Sequence, residues 1–359
     1  MTIQENVPLA PLTTLQVGGA ARYFATARRD DEVREAVEFA KIRSLPLFVL
    51  GGGSNLLVAD SGWPGVVVKI AIGGTVGPGL QSTSGNAALF TVGAGVNWDD
   101  FVAAAVSENC AGIECLSGIP GSVGGTPVQN VGAYGQEVAE TIESVRALDT
   151  KQDCVVTLGK PACGFRYRSS VFNRERGSGG GGERGRYIIL QVNYRLRRGG
   201  PPSVKYADLQ KHFAQTDTAP SLVAVREAVR QIRRCKGMLI VPGDEDARSA
   251  GSFFKNPVLN REQFHALKAR AASRSLEIPH YPALDAQHKV SAAWLVEHSG
   301  FTKGLRLGRA GISSKHALAL INPGDAHASD IVKLKNAIQQ GVQDAWGIRL
   351  EPEPVLVGF

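Results

Sequence analysis

Forty-two of the 359 residues are glycine, and many stand in short clusters directly after apolar runs. Each glycine adds backbone freedom and removes the side chain that a helix or strand would pack, so such clusters end elements rather than extend them. They also let backbone approach backbone, or a large ligand, without a Cβ in the way. The run Leu47 to Leu50 reads as a short buried strand that leads straight into Gly51-Gly52-Gly53-Ser54-Asn55-Leu56. Successive side-chain-free N–H groups can form a concave anion site, so this is a candidate phosphate cradle. It lacks the Lys-Ser/Thr pair of a P-loop. A denser cluster follows at Gly118-Ile119-Pro120-Gly121-Ser122-Val123-Gly124-Gly125, then Gln129-Asn130-Val131-Gly132-Ala133-Tyr134-Gly135. Its spacing does not fit the Gly-x-Gly-x-x-Gly fingerprint of a βαβ dinucleotide fold. Taken together, the two clusters read as loops gripping an extended dinucleotide from both sides.

The length suggests two or three domains. With 43% hydrophobic and 20% charged residues, the composition is that of an ordinary globular protein. No run reaches the ~18 apolar residues of a membrane span, and the first residues carry neither a basic head nor an apolar signal core. Five cysteines without a Cys-x-x-Cys pair argue against a disulfide framework or a zinc site and for a reducing cytosol. No metal is expected, and the expected location is cytoplasmic. The net charge of +7 is partly clustered, as in Arg195-Arg197-Arg198 and Arg230-Arg233-Arg234-Lys236, and suits an anionic ligand without naming it.

Along the chain, helix starts are the clearest signals. Asp30-Asp31-Glu32 opens a helix with Val33, Val37 and Ala40 on one face. Asn97 caps a second, with Asp99 and Asp100 in its first turn. Ser221 caps a third, with Val225, Ala228, Val229 and Ile232 inward. Asn260 caps a helix over 261–272, and further helices are expected at 291–299 and 329–346. Strands are expected at Ile142 to Leu148, Tyr187 to Leu196, Ala317 to Ile321 and Ile348 to Leu350. If Gly164 to Phe172 is extended, Arg166 and Arg168 share one face. The low-complexity run 174–186 reads as a disordered hairpin loop.

The stretch Ser249-Ala250-Gly251-Ser252-Phe253-Phe254-Lys255-Asn256-Pro257 is not explained by a generic core. Small residues bring the Ser252 hydroxyl where a planar ligand can approach it. Its simplest structural reading is a strand end turning through Asn-Pro.

In order along the chain stand Thr14-Leu15 with Gly18-Gly19, Gly51 to Leu56, Gly118 to Gly125, Asn130-x-Gly132-Ala133-Tyr134-Gly135, Tyr167-Arg168-x-Ser170, Ala250 to Pro257, and Leu350-Glu351-Pro352-Glu353. Together they resemble the UDP-N-acetylenolpyruvoylglucosamine reductases of bacterial peptidoglycan synthesis, in the subgroup with an extra tyrosine loop. The resemblance implies an α+β protein: an FAD-binding fold of the vanillyl-alcohol-oxidase (PCMH) type in two subdomains, plus an α/β substrate-binding domain. The subdomains would be 1–71, joined by the tail 347–359, and 72–241; the substrate domain would be 242–346. It further implies FAD as cofactor, NADPH as hydride donor, a UDP-sugar substrate and a monomer that needs neither nucleic acid nor membrane. Residue by residue, Arg168, Ser252 and Glu353 match the catalytic positions, with Ser252 the proton donor. Gly51, Gly52, Gly53, Ser54, Asn55, Leu56, Gly118, Ile119, Pro120, Gly121, Ser122, Gly124, Gly125, Asn130, Gly132, Ala133 and Tyr134 match cofactor positions. Tyr167, Tyr206, Lys236, Asn256 and His316 fall on the substrate side. One departure stands out: the lysine of a Lys-x-Pro motif is replaced by Ile240 before Pro242, and Lys236 is the nearest basic residue.

Two other readings fit parts of the chain. A different flavin oxidoreductase of the same fold would not depend on a UDP-sugar. A basic nucleic-acid-binding protein would use the Arg/Gly run 174–186 on phosphates, but no stacking aromatics interleave with those arginines.

Overall fold

The computed structural model describes residues 1–76, 86–174, 185–215, 218–283 and 286–359, so most of the expected hairpin loop 174–186 lies outside the described residues. The chain divides into two compact units made from interleaved segments. The first comprises Met1–Val7, Ala21–Gly53 and Pro64–Arg234; the second comprises Pro8–Ala20, Ser54–Trp63 and Cys235–Phe359.

Among the described residues, the first unit holds two larger sheets and a two-stranded one, Gly132–Ala133 with Gln136–Glu137. One has strand order Ile3–Pro8, Ala20–Ala27, Trp63–Ile70, Leu47–Leu50, with the last two parallel in the register Leu47 to Val66. Pro8, Ala20 and Trp63, at strand ends, belong to the second unit. The other sheet is antiparallel: Cys154–Gly159, Ile142–Asp149, Tyr187–Arg198, Ala87–Gly93, Thr75–Val76, with Cys110–Ala111 pairing the far end of Tyr187–Arg198. Alternation along Tyr187–Arg198 turns Val192, Tyr194 and Leu196 inward, and all three are buried. Helix Asp30–Ile42 buries Val33, Ala36 and Ala40 and carries three acids in its first turn, where they face the positive end of the helix dipole. Helix Trp98–Ser107 starts at Asn97, whose side chain accepts from the N–H groups of Asp99 and Asp100. Its Trp98 and Phe101 pack with Tyr194, ring centroids 6.0 and 5.0 Å apart. Burying a side chain such as Phe101 contributes about 1.5–3 kcal/mol. The Trp98 indole N–H, which could not be buried unpaired without penalty, donates to the Leu116 carbonyl at 3.0 Å. The core thereby anchors the glycine loop that follows.

The second unit has an antiparallel sheet ordered Ser249–Ser252, Ala319–Ile321, Ala310–Ile312, Arg306–Leu307, and a smaller one ordered Val258–Leu259, His288–Val290, His280–Pro282. Helix Ala328–Trp346 buries Ile331, Leu334, Ile338 and Val342 at the spacing of one helical face. It stops at Gly347, which is left-handed at φ +73°.

Two expectations change. Gly164 to Phe172 is not a strand: Arg166 and Ser169 exchange backbone hydrogen bonds of 2.8 and 3.1 Å across a tight turn with Tyr167 and Arg168 at its centre. Ile348 to Leu350 forms no strand either. Ile348 and Leu350 are buried in the core, and the Leu350 carbonyl accepts from the Gln339 side chain at 2.7 Å. The strand lies further on, where Val355–Val357 pairs in parallel with Leu56–Val58.

Candidate active site

Strand Leu47–Leu50 delivers Gly51, Gly52 and Gly53 against the second glycine loop of the same unit. A Cβ on Gly52 would sit 2.5 Å from the Gly121 Cα and 2.8 Å from the Ser122 nitrogen, a distance no side chain tolerates. Here glycine is required by close approach of two backbones. Gly118 and Gly121 instead need it for conformation, with φ of +69° and +130°. The loop is tied down along its length: Trp98 N–H donates to Gly121 O (3.1 Å), Val123 N–H to Val96 O (2.9 Å) and Gly124 N–H to Ala94 O (2.9 Å). The Ser122 hydroxyl, in a residue only 7% exposed, is buried with no hydrogen-bond partner among the described residues. An orphaned hydroxyl beside a cradle free of Cβ atoms fits a phosphate-bearing dinucleotide, which would give the hydroxyl its missing partner.

Asn130 is buried and works inside the protein. Its amide nitrogen donates to Glu137 Oε2 (2.7 Å) and to the Arg166 carbonyl (3.1 Å), and its oxygen accepts from Ala139 N–H (3.1 Å). It thereby joins the loop Gly132 to Tyr134 to the turn carrying Arg168. Arg168 is left-handed (φ +52°), its carbonyl accepts from the Asn173 amide (3.2 Å), and its Nη2 donates to the Gly132 carbonyl (3.1 Å). The fold thus sets the guanidinium of Arg168 at the Gly132 loop, although 36 residues separate them. The Tyr167 ring lies 5.6 Å from that guanidinium carbon. Tyr206, at the N-terminus of helix Ala207–His212, meets the buried Tyr134 edge to face at 5.4 Å.

In the second unit, the tail pairs with the serine stretch. Glu353 N–H donates to the Phe253 carbonyl (2.9 Å), Lys255 N–H to Glu351 O (3.0 Å), and Phe254 bridges Pro352. Phe253 and Phe254, essentially fully buried, fix this pairing, while Ser252 beside them is half-buried. The Glu353 backbone therefore lies beside Phe253, the residue after Ser252; Arg168 belongs to the first unit. Gly251 is left-handed (φ +71°), and a Cβ there would meet nothing within 4 Å, so its role is conformational. Ser54 and Asn55 also belong to this unit. The Ser54 carbonyl accepts from Thr14 Oγ1 (3.3 Å), whose hydroxyl also reaches the Ser249 carbonyl (2.6 Å), and the Asn55 amide donates to the Glu353 carbonyl (3.3 Å).

Asn256 Oδ1 accepts from Ala292 N–H (2.9 Å), at the start of helix Ala292–Glu297. His316 Nδ1 accepts from Leu318 N–H (3.1 Å), which puts the ring proton on Nε2. Burial, reinforced by the charges of Lys236 and Lys303, lowers its pKa to about 4, so the imidazole is neutral at pH 7. The adjacent Lys315 is bound to Asp244 (2.6 Å) and Asp246 (3.6 Å). Asp246 also accepts from the N–H (2.9 Å) and hydroxyl (2.7 Å) of Ser314, and so holds the loop bearing His316.

Sequence reasoning passed over Asp99, Arg226, Asp246 and Lys303. Asp99 stands in the first turn of its helix, and nothing in its local pattern shows that it reaches Gly118. Among the described residues no helix is long and apolar enough to cross a membrane.

Residues 21–158 match a family model for an FAD binding domain, and residues 243–357 match the C-terminal domain of UDP-N-acetylenolpyruvoylglucosamine reductase. The chain is 45% identical to the UDP-N-acetylenolpyruvoylglucosamine reductase of Streptomyces avermitilis, over 98% of this chain and 94% of that protein. It is 42% identical to the enzyme of that name from Thermobifida fusca, over 98% and 97%. A crystal structure of UDP-N-acetylenolpyruvylglucosamine reductase from Thermus caldophilus superposes with a TM-score of 0.65 at 26% identity, covering 99% of this chain and all of that one. The expected fold class, an α+β protein with an FAD-binding portion and a separate C-terminal domain, is borne out.

Proposed function

Because the chain belongs to the UDP-N-acetylenolpyruvoylglucosamine reductases, FAD-dependent oxidoreductases, we propose that it reduces UDP-N-acetylenolpyruvoylglucosamine to UDP-N-acetylmuramate during peptidoglycan precursor synthesis. When bound, FAD supplies the two-electron chemistry by which hydride from NADPH reaches C3 of the enol ether. We assign FAD binding to residues 1–71, 347–359 and 72–241, and the sugar nucleotide to 242–346.

Hydride addition at C3 leaves negative charge shared between C2 and the substrate carboxylate. Arg168 supplies a fixed positive charge for that enolate; a guanidinium already held on the Gly132 carbonyl needs little reorganisation as the charge develops. The Ser252 hydroxyl passes a proton to C2 and recovers one from water, so one hydride and one proton saturate the double bond. A hydroxyl is a weak acid, but a carbanion-like carbon is basic enough to take its proton when the two are positioned. Glu353 would hydrogen-bond the substrate carboxylate if protonated, or a water if ionised. Tyr167, Tyr206, Lys236 and Asn256 are assigned to the rest of the sugar nucleotide. His316, neutral, offers its Nε2–H as a donor. Lys236 supplies the positive charge that a lysine at position 240 would otherwise bring.

The observation that carries this reading is the hydrogen bond from Glu353 N–H to the Phe253 carbonyl, which sets two of the three assigned groups on adjoining backbone. Stopped-flow absorbance of the Ser252→Ala variant tests it. Reduction of the flavin by NADPH should stay near the parent rate. Reoxidation by the enolpyruvyl substrate should slow by on the order of 10²–10⁴-fold, the range for a lost proton donor. Equal slowing of both half-reactions would remove Ser252 from the proposed role.

A further inference from the structure

The peptide of Gly118, at the head of the second glycine loop, is gripped from both sides by charged side chains. Its N–H donates to Asp99 Oδ1 (2.6 Å), and its carbonyl accepts from Arg233 Nε (3.0 Å). Asp99 is itself held: Arg226 donates to both of its oxygens (2.5 and 3.1 Å), and Arg230 donates to Oδ2. Arg226, Arg230 and Arg233 recur at four- and three-residue spacing, which places them along one face of helix Leu222–Cys235. The grip is partly enclosed, with side-chain exposures of 21% for Asp99 and 15% for Arg226 against 38% for Arg230. Partial burial pushes the Asp99 carboxyl pKa up, but the hydrogen bonds from Arg226 and Gly118 outweigh it and keep the group ionised. None of these three partners of Asp99 is used by the chemistry above.

We propose that Asp99 is a positioning residue for the flavin: it holds Gly118 in its left-handed conformation before FAD arrives, so that binding does not bear the cost of ordering the loop. Arg226 and Arg230 keep the carboxylate charged and aimed, and Arg233 fixes the opposite face of the same peptide. The proposal rests on reading Gly118 to Gly125 as part of the flavin site.

The test strips FAD from the holoprotein and titrates it back, following quenching of flavin fluorescence. Asp99→Ala should raise the FAD Kd about tenfold, as expected for losing a charged hydrogen bond of roughly 1.4 kcal/mol. Asp99→Asn keeps an acceptor for the Gly118 N–H but loses the charge held by the arginines, and should fall between parent and alanine. Arg230→Ala should weaken FAD binding severalfold in the parent and not further in the Asp99→Ala background. A lower apoprotein melting temperature with an unchanged Kd would make Asp99 merely structural and overturn the proposal, as would full additivity of the two substitutions. Parent apoprotein that takes up no FAD would overturn the flavin reading along with it.

Discussion

His316 shows how one side chain acquires its chemistry from surroundings that its own position in the chain does not reveal. Burial first, then the charges of Lys236 and Lys303, hold its pKa near 4 against an ordinary value of 6.5. The unfolded chain therefore binds a proton as pH falls through about 6.5, while the folded protein resists until about 4. Stability carried by this group is complete above the unfolded value and is lost as pH drops across that window. The loss approaches about 3 kcal/mol, from ~1.36 kcal/mol per pH unit. His316→Gln should flatten the pH dependence of urea-unfolding free energy between pH 6.5 and 4.5. An unaltered slope would mean that another group carries the acid sensitivity. His316 was found by resemblance; its neutral, Nε2-protonated state was not readable, because Leu318, Lys236 and Lys303 set it in three dimensions.

Helix ends were readable because a cap acts within four residues. Asn97, Ser221 and Asn260 all accept hydrogen bonds from the first turns of the helices they are expected to cap; Ser291, expected as the first residue of a helix over 291–299, is instead its cap. At Asn260 the cap is reciprocal, with Gln263 Oε1 accepting in turn from the Asn260 N–H. Asn260→Ala should lower the unfolding free energy by about 1 kcal/mol in a denaturant titration with unchanged m-value. No measurable change would show that this helix end is held by its packing alone. Elements whose fate depends on distant partners were misread. The segment Ile348 to Leu350 looks extended and apolar, but helix Ala328–Trp346 claims its side chains and Gln339 its last carbonyl. Around Arg168 the turn depends on Asn130 and Asn173, one of them 36 residues from the Arg166 carbonyl it holds.

Residues 8–20 and 54–63 group with residues 235–359, a partition that no composition shift marks. Within that unit the Asn322 amide donates to the carbonyls of Leu15 (3.2 Å) and Gln16 (3.1 Å), and Asp60 caps helix Ala328–Trp346 through the N–H groups of Ala328 (2.7 Å) and Ser329 (3.0 Å). A ligand that binds the folded chain and not the unfolded one adds to the stability of the fold. FAD at a hundredfold its Kd should add about 2.7 kcal/mol to the unfolding free energy of the apoprotein, provided the unfolded chain does not bind it. Melting curves at increasing FAD should therefore shift upward in proportion to the logarithm of its concentration. Curves that coincide at every FAD concentration would be incompatible with a flavin site in the native protein.

The order of residues was enough to place the glycine loops, the helix caps and the Ser252 stretch, because each is a local requirement: a left-handed φ, a missing Cβ, or an acceptor for an unpaired N–H. It was also enough to suggest a dinucleotide and a reductase, through motifs that occur in a fixed order. Only the folded chain brought Gly52 against Gly121, Asp99 onto Gly118, Arg168 onto Gly132 and the Glu353 tail alongside Phe253. Those pairings join residues from 19 to 100 positions apart. They are selected by the packing of cores such as Trp98 with Tyr194 and by buried polar atoms that must find partners, neither of which any local stretch of sequence encodes.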